Sequence, residues 1–125
     1  MGYESNFYRY ISSPNFPYNY PANARCSWRI VPRRYSEAVL DFLQFSTEKG
    51  YDKVRITRRY GYNSSVLSGN FSTLNQTQFR FYGMLQVEFT SDGSVQSTGF
   101  EAALRYGNIA WLQSHLILNF DPYLL

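Results

Sequence analysis

Glu48 and Asp52 stand on either side of a Lys49-Gly50 turn signal, and Asp92 opens an Asp-Gly pair later in the chain. Taken singly, Glu48 and Asp52 are solvated loop charges and Asp92 serves its own turn. Carboxylates in general are hard oxygen donors of the kind that calcium accepts. Other chemistry is scarce. One histidine, His115, and one cysteine, Cys26, leave no material for a Cys/His zinc site or for a Ser–His–Asp triad in the body of the chain. Most hydrolase chemistry is thereby excluded, and no catalytic residue is assigned. Arg33-Arg34-Tyr35 and Arg58-Arg59-Tyr60 read either as solvated turns beside strand ends or as a basic aromatic patch. Such a patch suits a glycosaminoglycan or a single-stranded nucleic acid, where Arg pairs with anions and Tyr stacks. Asn63-Ser64-Ser65, Asn70-Phe71-Ser72 and Asn75-Gln76-Thr77 are three N-glycosylation sequons in one polar stretch. A used sequon would place the chain outside the cell.

The elements that must position these residues are strands. The chain of 125 residues has room for one domain with a real core. Aromatic residues make up 19%, and Tyr and Phe pack well on a pleated surface, which argues against an all-α bundle. Hydrophobic residues at 44% against charged residues at 17% exclude intrinsic disorder. A net charge of +3 falls short of the concentrated stripe that a phosphate backbone needs, so nucleic acid is not expected as a partner. No stretch is long and apolar enough for a membrane span, and Met1-Gly2-Tyr3-Glu4 lacks the order of a signal peptide. The chain is expected neither to insert in a membrane nor to direct its own export.

Phe7 to Tyr20 reads as an edge strand running into a loop, because Pro14 and Pro17 forbid regular ladder bonding. From Cys26 to Val31, alternation places Cys26, Trp28 and Ile30 on one face and Ser27 and Arg29 on the other, the pattern of a half-buried strand. Ala38 to Phe45 alternates with a slip at Leu43 that predicts a bulge. Asp52 to Ile56 returns as a strand with Val54 and Ile56 inward, and the spacing predicts a hairpin-like connection from the strand before it. Asn63 to Gln78 reads as polar loop. Phe79–Phe81 and Leu85–Phe89 alternate again, Asp92-Gly93 is a strong turn signal, and Phe100, Ala102 and Leu104 mark a last strand over 99–106. Short, closely spaced strands describe an all-β, antiparallel β-sandwich of jelly-roll type. Residues 107–125 change character. They read as a short amphipathic helix, a linker or an abnormal junction, with His115 an incidental tail residue.

Ile11-Ser12-Ser13-Pro14-Asn15-Phe16-Pro17-Tyr18-Asn19-Tyr20-Pro21, followed by Cys26-Ser27-Trp28, closely resembles the opening of a CUB domain. CUB domains are extracellular modules of complement proteases, tolloid-type proteases and many receptors. The similarity continues through Leu40-Asp41-Phe42, Phe45-Ser46-Thr47-Glu48 and Tyr51-Asp52-Lys53-Val54-Arg55-Ile56. It closes with Phe89-Thr90-Ser91-Asp92-Gly93-Ser94 and Gly99-Phe100-Glu101-Ala102. It implies an N-terminal lead over 1–7, a CUB-like domain over 8–106 and an atypical tail over 107–125.

The resemblance implies a non-enzymatic, extracellular binding module, secreted or part of an ectodomain. In calcium-binding members, residues matching Glu48, Asp52 and Asp92 are gathered at one end and hold Ca²⁺. A backbone carbonyl at the position of Ser94 assists, and a Tyr matching Tyr20 steadies the Glu. Gathered carboxylates repel and raise one another's pKa unless a cation sits among them. The same three acids would accept a Lys or Arg side chain from an extracellular protein partner. A glycosaminoglycan partner for the Arg-Tyr turns, or service as an accessory domain of a secreted protease, stands as the alternative. The family resembles a two-disulfide pattern, in which Cys26 would pair with a cysteine near the domain start, at or before Met1 here. The second pair is missing coherently: the Glu48–Asp52 loop is short, and Ser68-Gly69 stands where Cys-Gly is usual. The chain thus resembles a one-disulfide variant.

Overall fold

The computed structural model describes residues 7–31, 37–58, 64–71 and 78–106. Among the described residues, eight strands run β1 Phe7–Ser12, β2 Arg25–Ile30, β3 Ala38–Ser46, β4 Lys53–Arg58, β5 Ser64–Leu67, β6 Gln78–Phe81, β7 Leu85–Thr90 and β8 Gly99–Tyr106. They form two four-stranded antiparallel sheets, ordered β1-β8-β3-β6 and β2-β7-β4-β5. Among strands consecutive in the chain only β4 and β5 are hydrogen-bonded neighbours. The other connections pass from one sheet to the other, which is the jelly-roll arrangement expected.

Period-two alternation explains each strand, because burying an apolar side chain is worth about 1.5–3 kcal/mol and a one-residue slip would expose the whole set. In β2, Cys26, Trp28 and Ile30 are buried while Arg25 and Arg29 are exposed. In β3 the register shifts between Phe42 and Gln44, so Leu43 is bulged out and Phe45 takes the inward place. The bulge keeps both ends of a long strand in the core. The interior is aromatic. Phe100 lies between the sheets, with ring centroids 5.5 Å from Phe89, 5.6 Å from Phe42 and 5.8 Å from Trp28. Tyr20, from the loop after β1, packs edge-on against Phe89 at 5.0 Å.

Two readings of the sequence change. The connection from β3 to β4 is not a hairpin, since β3 is already flanked by β8 and β6 and β4 joins the opposite sheet. The Asp92-Gly93 turn likewise carries the chain between sheets, from β7 to β8. The stretch read as polar loop contains β5, an edge strand whose Leu67 packs against the core, and Asn70 bridges to Ser46. Two apolar residues are too few to announce a strand, and pairing with β4 supplies what local pattern does not. Residues 107–125, including His115, lie outside the described residues, as do Asn63 and Asn75.

Candidate metal centre

The inter-sheet crossings at 47–52 and 91–98 bring Glu48, Asp52 and Asp92 together. One carboxylate oxygen from each lies within 4.8 Å of the others. Asp52 is wholly buried, while Glu48 and Asp92 are half-buried.

The first loop is shaped by its own main chain. The Asp52 and Tyr51 N–H groups donate to the Glu48 carbonyl at 3.0 and 3.2 Å, and Gly50 takes a φ of +85°, a conformation glycine adopts without strain. Thr47 Oγ1 donates to the Asp52 carbonyl at 3.0 Å and accepts from the Gly69 N–H at 2.9 Å. Ser68 Oγ accepts from the Gly50 N–H at 2.8 Å and lies 2.9 Å from the Asp52 carbonyl, to which it donates. Ser68 stands where the family usually has a cysteine. Its hydroxyl in fact ties the two loops that the resemblance would join by a disulfide.

The second loop is held by Ser91, whose hydroxyl donates to the Pro21 carbonyl and accepts from the Ala24 N–H, both at 2.8 Å. Asp52 fastens the two loops to each other: its Oδ1 accepts from the Asp92 N–H at 2.8 Å, and its Oδ2 accepts from the Tyr20 hydroxyl at 2.5 Å. Tyr20, which the resemblance has steadying the Glu, thus touches both acids. Its side-chain partner is Asp52, and it meets Glu48 only through the main chain, accepting the Glu48 N–H at 3.2 Å. The phenol packs against Phe89 and arrives beneath the loop, where a buried carboxylate needs a donor more than an outer one does. Burial first, and the Asp52 hydrogen bond next, push the Tyr20 hydroxyl pKa well up, so it stays a donor.

Glu48 is left differently. Its Oε1 is shielded from solvent and has no hydrogen-bond donor among the described residues. Desolvation first, then the Asp92 and Asp52 charges, raise its carboxyl above the ordinary value. A shielded oxygen without a donor, facing two further carboxylates, is a donor set that a hard divalent cation completes. Ser94 is in the same loop, and its N–H donates to Asp92 Oδ1 at 3.1 Å.

The remaining candidates are not part of this cluster. Cys26 is 3% exposed, inside the sandwich beside Trp28. Asn70 is exposed. Arg58 ends β4 and donates to the Arg80 carbonyl at 3.3 Å; Arg33, Arg34, Tyr35, Arg59 and Tyr60 lie outside the described residues.

A profile of the CUB domain matches residues 4–104. The chain belongs to the CUB family. As a CUB domain it is an extracellular, non-catalytic module of the kind through which proteases and receptors make protein interactions. Among curated proteins it is 37% identical over 99 residues to bone morphogenetic protein 1 of Xenopus laevis, covering 74% of this chain and 14% of that protein. It is 36% identical over 107 residues to cubilin of Rattus norvegicus, covering 80% of this chain and 3% of that protein. The chain thus spans a small part of these relatives. Among solved structures it matches the MASP-1 CUB2 domain bound to Ca²⁺ with a TM-score of 0.65 and 23% identity, covering 78% of this chain and 90% of that one. That likeness concerns the fold. No helix among the described residues is long and apolar enough to cross a membrane.

Proposed function

We propose that this domain, residues 8–106, binds a protein partner through a loop end organised by Ca²⁺, with Glu48, Asp52, Asp92 and the Ser94 carbonyl as ligands. The observation that carries the reading is the gathering of three carboxylates within 4.8 Å around a Glu48 oxygen that has no donor. The solved CUB domain bound to Ca²⁺ supports it. Bound Ca²⁺ would offset the mutual repulsion of the three acids and keep them in one arrangement. Asp52 is already pinned by Tyr20 and by the Asp92 N–H, so Glu48 is the acid that must be drawn in.

Carboxylates held this way keep lone pairs facing solvent. A protruding Lys or Arg of the partner meets them with charge-assisted hydrogen bonds and little reorganisation of the module. Tyr51, in the same turn and 66% exposed, offers an aromatic wall for the aliphatic stem of that side chain. The relatives are far longer than this chain, which supports reading the module as one domain of a larger extracellular protein. Asn70, exposed within its sequon, is a glycan acceptor.

The test is a thermal melt with chelator and with millimolar calcium. Extracellular sites bind at about 10⁻⁴–10⁻³ M, which corresponds to a gain on the order of 1 kcal/mol and a rise of a few degrees. Asp92→Ala abolishes the difference. Coincident melts of the unmutated domain would remove calcium from the reading. Binding to the partner that falls with chelator and with rising salt, and that Asp92→Ala abolishes, is the second expectation.

A further inference from the structure

The outer face of the β2-β7-β4 sheet carries a second surface. Because Cys26, Trp28 and Ile30 face the core, Arg25 and Arg29 of β2 face outward, and Lys53 and Arg55 of β4 do the same opposite Val54 and Ile56. The register sets them in ranks across β7: Arg25 and Lys53 flank Thr90, Ser27 and Arg55 flank Glu88, and Arg29 lies opposite Gln86. Strand spacing places β2 and β4 about 10 Å apart, and Arg25 and Arg29 about 13–14 Å apart along their strand. Four cations thus bracket one carboxylate on a single face. Among the described residues, Arg29, Lys53 and Arg55 have no carboxylate within 4.0 Å. A shallow concavity of about 430 Å³ opens over the first two of these ranks, with Arg25, Lys53, Arg55 and Glu88 on its walls.

We infer that this face docks a sulfated polysaccharide of the glycosaminoglycan type. Charge complementarity selects an anionic chain, and Arg forks match sulfate and carboxylate oxygens. Ser27, Gln86 and Thr90, set between the cations, are donors and acceptors for sugar hydroxyls. The outward residues of these three strands include no aromatic side chain for stacking nucleobases and no apolar anchor for a protein interface or a bilayer. The domain is extracellular, where sulfated glycans are the abundant polyanions. The site is separate in its chemistry from the acidic loop end and needs no calcium.

The experiment is retention on immobilised heparin, with elution by a salt gradient, for the unmutated domain, Arg29→Glu/Arg55→Glu and Asp92→Ala. Both mutated arginines are exposed, so the double variant keeps its fold, checked by an unchanged melt. The domain is retained with or without chelator, Asp92→Ala elutes with it, and the double variant loses about tenfold or more in affinity, with a shallower salt dependence. Non-sulfated hyaluronan is not bound. No retention of the unmutated domain at low salt, or elution of the folded double variant with it, overturns the proposal. Binding to single-stranded DNA or to phosphatidylserine vesicles as tight as to heparin overturns the choice of polysaccharide.

Discussion

Tyr20 and Glu48 are the residues on which the loop end turns. Tyr20 spends its hydroxyl twice, donating to the buried Asp52 carboxylate and accepting the Glu48 N–H, while its ring holds the core at Phe89. Tyr20→Phe keeps the ring and removes both hydrogen bonds. A destabilisation of about 1–3 kcal/mol follows, since a buried acceptor loses its donor, and calcium affinity falls with it; chelator and calcium melts read both. Glu48 supplies the pH dependence. Its carboxyl is raised in the fold, so the ion-free fold binds protons more tightly than the unfolded chain once pH drops toward the ordinary value of 4.5. Acidification through that window stabilises the ion-free domain and expels a bound cation. Melting temperatures with and without calcium therefore converge as pH falls, starting above the usual glutamate range, and Glu48→Gln loses this pH response together with the calcium increment.

At the scale of elements, the loop end is an assembly of crossings between sheets rather than of hairpins. The 47–52 crossing is braced by Ser68, whose hydroxyl reaches Gly50 and Asp52 from the far end of β5. Ser68→Ala removes that brace. A loss of about 1 kcal/mol is expected, with a weaker calcium midpoint because the ion must then order a looser loop; titration monitored by melting separates the two effects. The start of β8 is tighter still. Gly99 has a φ of +85°, and an added Cβ would come 1.8 Å from Ser13 Oγ, the atom that accepts the Phe100 N–H. Gly99→Ala therefore combines strain with a clash at the β1-β8 seam and costs about 2–4 kcal/mol, which a denaturant midpoint measures.

At the scale of the molecule, the sandwich joins strands distant in the chain: β1 pairs with β8, and β2 with β7. Such topology forms slowly, on the order of milliseconds to seconds, because loop closure precedes any reward from contacts. It also encloses Cys26 between the sheets. The thiol should be modified by alkylating reagents only as fast as the domain opens, and should react at once in denaturant. Rapid labelling of the native domain would contradict its enclosure. The surface divides into an acidic loop end and a basic sheet face; the two proposals together predict that salt weakens binding at both while chelator weakens binding at the first alone, which binding assays with chelator and with salt check separately.

Alternation made the strands legible from the residues, because a half-buried strand must place its apolar side chains two apart; Trp28, Leu40, Val54, Val87 and Phe100 are core on that ground alone. The slip at Leu43 announced the bulge for the same reason. The family was legible because several short motifs stood in order along the chain. What periodicity cannot encode is which sheet a strand joins, since that depends on the edges other strands leave open. Hence the β3–β4 connection was misread as local, and β5 was missed. The same long-range pairing decided the site: Glu48, Asp52 and Asp92 are ordinary loop acids until two crossings bring them together. The Tyr20 hydroxyl finds Asp52 instead of the Glu48 side chain because burial, a property of the assembled sandwich, determines which carboxylate most needs a donor.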